Sequence, residues 1–97
     1  MAAQSALQAE LAASYSLLKA AYSEVSTLQT EVVPAAEQIF RDVEEGYRLG
    51  KFGLLEVLDA QRTLTDVRMQ FIHARESYYM AVAEVERLTA TPLFTLE

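Results

Sequence analysis

The 97-residue sequence has no cysteine and no tryptophan, and only two prolines and three glycines. Without cysteine there is no disulfide, no thiolate metal ligand and no cysteine nucleophile. His73 is the single histidine, so a His-Glu-x-x-His metal helix is excluded. No serine–histidine–acid pattern or phosphate-cradling loop occurs either, and Gly46-x-x-x-Gly50 follows no strand. An enzyme is not expected, and no cofactor is implied. Basic residues are scarce, eight against fourteen acids, for a net charge of −6 and a pI near 4.7. Non-specific nucleic-acid binding is therefore not expected, because it needs a basic stripe. No run of eighteen apolar residues exists to form a transmembrane helix, and "MAAQSALQAE" lacks the basic start and apolar core of a signal peptide. Helical patterning begins almost at Met1, so residues 1–97 read as one piece of a larger protein.

What the sequence does have is periodicity. Hydrophobic residues make up 52%, many of them alanine, which suits a narrow helical seam better than a thick core. Leu11, Leu18, Val25, Val32 and Ile39 recur every seven residues, and Tyr15, Tyr22, Gln29, Ala36 and Val43 follow each by four. This pattern predicts a coiled-coil helix over about 3–48. Pro34 removes a backbone donor, so a kink or break is expected near it. A second helix is predicted over about 54–90, ending at Thr91-Pro92. There Val57, Leu64, Phe71, Tyr78 and Val85 are spaced by seven, with Ala60, Val67, Ala74, Ala81 and Leu88 three residues after each. Large residues in one row and mostly small ones in the other permit close backbone approach. A further apolar row, Leu58, Ile72 and Tyr79, exceeds what one neighbouring helix can cover.

All three glycines fall in "EEGYRLGKFGLLEVLDAQRTL", residues 44–64. Gly50 is placed to close the first helix in the left-handed conformation. Gly53 with Glu56 three residues later reads as a capping box with glycine replacing serine. Glu37/Arg41 and Glu44/Arg48 are spaced as i,i+4 ion pairs. The expected fold is all-α: a long antiparallel helical hairpin with a glycine turn at 49–53.

The stretch "GYRLGKFGLLEVLDAQRTL" resembles the tip motif of the TolC-type outer-membrane factor family, approximately G-Y-x-x-G-x-x-[ST]-x-x-[DE]-V-L-D-A-Q-x-x-L. Gly46, Tyr47, Gly50, Glu56, Val57, Leu58, Asp59, Ala60, Gln61 and Leu64 fit it. "ARESYYMAVAEVERLTATPL" resembles the family's closing helix, and "LQTEVVPAAEQIFRDVEEGY" resembles the "LPAA" helix of its heavy-metal branch, the CzcC- and CusC-like members. The likeness covers nearly the whole chain. Departures are Gly53 in place of serine or threonine, Thr89-Ala90-Thr91 in place of a closing glycine, and Phe52 at a tip position that is basic in the best-known member.

The resemblance implies the periplasmic portion of a bacterial outer-membrane protein: a homotrimeric efflux duct working with a periplasmic adaptor (membrane-fusion) protein and an inner-membrane resistance-nodulation-division pump. It implies export of metal ions or small toxic compounds. Tyr47, Arg48, Leu49, Gly50, Lys51 and Gly53 match the turn where the adaptor docks. Glu56 and Asp59 match inward-pointing acids that constrict the duct, although acids at a helix N-terminus are also favoured by the helix dipole alone. From the residues themselves, Met69 and His73 could share a soft ion, whereas Met80 lies too far along the helix to join them. Packing or surface roles explain both more simply. A different reading makes the chain a stand-alone interaction module whose fragment self-associates into a four-helix bundle.

Overall fold

The computed structural model describes the backbone of residues 2–96 and the side chains of residues 3–90. In chain order it consists of α1 (Ala2–Thr27), one π-helical turn (Leu28–Val32), α2 (Val33–Arg48) and α3 (Leu54–Leu96). There is no strand among the described residues, and the fold is the expected all-α antiparallel helical hairpin. It divides into two compact units: Met1–Glu24 with Ala74–Glu97, and Val25–His73.

In the first of these units, Leu7 and Leu11 line a pocket with Leu88, while Leu17 and Ala21 line another with Ser77 and Ala81. The descending order of contacts identifies an antiparallel pair. Ser14, Ala74, Val85 and Leu88 are buried, and Leu11, Leu18, Ala21, Tyr78 and Ala81 are half-buried. The α3 rows are those predicted. The second α1 row is not: Ser14 and Ala21 lie inward, and Tyr15 and Tyr22 are exposed. Small residues on both helices let the backbones approach, which leaves no room for tyrosine between them. Tyr22 instead flanks the seam, its ring 5.9 Å from that of Tyr78, with the polar end available to water. At the surface, Arg87 donates to Glu84 at 2.7 Å and holds that carboxyl below its ordinary range. Helix α3 covers the predicted span from Leu54 to about residue 90, and the predicted end at Thr91-Pro92 lies outside the residues whose side chains are described.

The second unit, Val25–His73, is a hairpin in itself, with α2 packed on the first half of α3. Pro34 produces no break. Val32 and Val33 keep right-handed helical angles, at φ −75°, ψ −50° and φ −63°, ψ −48°. The helix instead widens into the π turn, where the Val33 N–H reaches the Leu28 carbonyl five residues back. Thr30 Oγ1 donates to the Ser26 carbonyl at 2.7 Å. A π turn amounts to one extra residue in the helix, and its effect on the seam can be followed by burial. The covered positions Leu11, Ser14, Leu18, Ala21, Val25, Leu28 and Val32 alternate by three and four. Beyond Val32, the residues Val33, Ala36, Glu37, Phe40 and Val43 are at least half-buried, and the apolar row Ala36, Phe40 and Val43 falls one residue later than that spacing gives. Ile39, placed in the seam by the heptad, is consequently 56% exposed. Of the expected i,i+4 pairs, neither forms. Glu37 accepts a 3.0 Å bond from Arg68 across the hairpin, and Arg41 donates to Gln38 at 2.9 Å.

If the extra residue is what the π turn absorbs, deleting Pro34 restores an unbroken three–four spacing through Leu28, Val32, Ala36 and Phe40. The deletion is predicted to stabilise the chain by about 1–3 kcal/mol, since it also removes an interior proline. Thermal unfolding followed by circular dichroism measures this, with Pro34→Ala as the control that retains the extra residue.

Candidate functional site

The turn between α2 and α3 is closed almost entirely by backbone bonds. Lys51 N–H donates to the Gly46 carbonyl at 2.7 Å and Gly50 N–H to the Tyr47 carbonyl at 3.1 Å. With Gly50 at φ +79°, this is a Schellman motif, the six-to-one and five-to-two bonds that satisfy the last carbonyls of a helix. A Cβ built on Gly50 would have nothing within 4 Å, so glycine is required there by its backbone angle and not by crowding.

Gly46 is constrained differently. It is buried beneath the Phe52 ring, and a Cβ there would fall 2.5 Å from Phe52 Cε2. The aromatic at the departing tip position thus folds back onto the last turn of α2. Sequence reading missed this contact, although a glycine within a helix followed six residues later by an aromatic is a usable signal for it. On the α3 side, Glu56 Oε2 accepts the Gly53 N–H at 2.8 Å, which is the predicted capping box.

The turn brings Tyr47, Arg48, Leu49, Gly50, Lys51 and Gly53 together, all exposed. Glu56 and Asp59 are exposed three residues apart and share one side of α3. They border an open groove of about 740 Å³ between α2 and α3, lined otherwise mainly by apolar residues including Ala35, Ile39 and Val67. The one-residue shift at the π turn puts Ala35 and Ile39 there. Met69 and His73 are exposed, four residues apart on α3, whereas Met80 belongs to the other unit. Among the described residues no group of three or more histidine, aspartate or glutamate side chains could hold a metal ion.

The sequence model of the outer membrane efflux protein family matches residues 1–91. The chain belongs to that family. It is similar to the cobalt-zinc-cadmium resistance protein CzcC of Cupriavidus metallidurans, 37% identical over 71 residues, or 73% of this chain and 17% of that protein. The chain thus spans about a sixth of the length of the curated relative it matches. No solved structure matches it significantly. No helix among the described residues is long and apolar enough to cross a membrane.

Two predictions test the construction of this tip. Gly50→Ala is expected to cost about 1–2 kcal/mol, the left-handed penalty of an L-residue, whereas D-alanine at the same position should cost nothing. Thermal melts of synthetic chains distinguish the two. Glu56→Gln keeps an acceptor for the Gly53 N–H and should change stability little, while Glu56→Ala should lose about 0.5–1 kcal/mol. Chemical denaturation of both variants provides the comparison.

Proposed function

We propose that this chain is the periplasmic tip of a trimeric outer-membrane efflux duct, where it docks a periplasmic adaptor and gates export. The observation that carries this reading is the turn itself, considered with membership in the efflux family. A Schellman closure leaves Gly50 open on its outer side, and a bare backbone permits a partner helix to approach closely. The adaptor would engage Tyr47, Arg48, Leu49, Gly50, Lys51 and Gly53 and couple the duct to an inner-membrane resistance-nodulation-division pump.

Glu56 and Asp59 are the proposed acidic gate. In a trimer, three copies of each would form rings of negative charge, which favour cations over anions. Cationic metal cargo is consistent with that sign, and the similar protein named above is a cobalt-zinc-cadmium resistance protein. Both carboxylates are exposed on one side of α3, while the Val57/Ala60 seam faces α2. Glu56 also caps its own helix, so it has a structural task in addition to any role in the gate.

A second reading has one observation in its favour. Leu58, Ile72 and Tyr79 form the expected outer apolar row on α3, and all three are exposed. A self-associating helical module would bury that row in a four-helix bundle. Within a duct, neighbouring hairpins would cover it instead.

Binding of the adaptor's helical hairpin to this chain, fused to a trimerising domain, separates the two readings. Saturable binding that Gly50→Val weakens by about tenfold or more, with helicity unchanged, is the expected result. A folded trimer that fails to bind would favour the self-associating module.

A further inference from the structure

We infer that the partner segment received by the tip is apolar and flanked by carboxylates, a deepening that rests on the docking reading above. The chain carries fourteen acids and eight bases. Yet between Gly46 and Leu55 the charged residues are Arg48 and Lys51, with no acid among them. The nearest acids on either side are Glu45 and Glu56, and one oxygen of Glu56 is engaged by the Gly53 N–H. Both cations are exposed, and neither forms an ion pair or hydrogen bond within the hairpin. Arg48 lies in the last turn of α2, where a cation offsets the helix dipole. Lys51 lies outside any helix and has no such reason to be basic.

The same ten residues expose hydrocarbon. Leu49 is 65% exposed and Leu55 75%, and Leu54 is also more than half exposed. Leu55 does not belong to the seam, so no intramolecular packing accounts for it. Apolar side chains interleaved with two exposed cations that form no ion pair favour an apolar segment whose edge carries carboxylates. The apolar contacts would supply affinity, while the charges set encounter rate and select against basic partners.

The test uses the complete protein in detergent, with the hairpin of its periplasmic adaptor as probe and salt varied from about 0.05 to 0.5 M. Arg48→Glu/Lys51→Glu is expected to weaken binding by about tenfold at low salt and to abolish its salt dependence. Leu49→Ser/Leu55→Ser should weaken it by about tenfold and retain that dependence. Circular dichroism on each variant checks that the helices are intact. Binding that charge reversal leaves within about twofold, or tightens, overturns the carboxylate-flanked partner while leaving docking in place. No adaptor binding by the unaltered protein overturns the inference together with the docking reading. Binding instead to phosphatidylglycerol-containing vesicles would assign the tip to a membrane surface and overturn it as well.

Discussion

The close approach of helix backbones over small side chains is the constraint on which the rest of the structure depends. Helix α3 sets Ala60, Ala74 and Ala81 between larger residues, and α1 answers with Ser14 and Ala21. A pair this narrow has no thick core to absorb error. Among its described residues not one large side chain is fully buried. Each helix must therefore keep one stripe facing its partner, and a slip of one residue turns that stripe by about 100°. Such a slip occurs just before Pro34. The π turn before it takes up the additional residue, so that Ala36, Phe40 and Val43 hold α2 against α3 while Ala35 and Ile39 turn toward the groove. The ion pair between Glu37 and Arg68 is compatible with this register but is half-exposed and weak in itself.

At the far end of the same unit, three local devices define the tip. The Schellman bonds terminate α2, the Phe52 ring covers Gly46, and the Glu56 carboxylate starts α3. Each satisfies its groups within the turn, which leaves the outer surface free of obligations to the rest of the chain. Such a surface is suited to meeting another protein. The tip's own shape is thus maintained by backbone bonds, ring-on-glycine packing and one carboxylate cap.

Much of this was legible in the sequence because helical periodicity and glycine chemistry are local. The α3 rows, the left-handed Gly50 and the Gly53–Glu56 cap follow from spacing and backbone preference alone, and the tip motif led to the family. The failures have a common cause. In α1, positions three and four residues after a seam leucine both border the partner, and bulk in Tyr15 and Tyr22 suggested the wrong one. Which of the two turns inward is decided by the partner's side chains, which spacing within α1 does not report. Likewise Pro34 announced a disturbance, but whether a helix kinks, breaks or widens depends on keeping contact with α3. Glu37 chose Arg68 over Arg41 because the hairpin supplied a partner that helix spacing could not disclose. The fold shows where the proposed gate and docking residues lie, while the roles proposed for them rest on the resemblance of the tip motif.

The account stands on the one-residue shift in α2, and the absence of native cysteine makes that shift directly measurable. Single cysteines placed at each position from Ala35 to Val43 of the 97-residue chain, each timed for alkylation, report which face is covered. Slow labelling at positions 36, 40 and 43, with fast labelling at 35, 39 and 42, is the pattern predicted. Protection at 35, 39 and 42 instead would mean that the three–four spacing of α1 continues unshifted past Pro34, and would contradict both the register and the groove built on it.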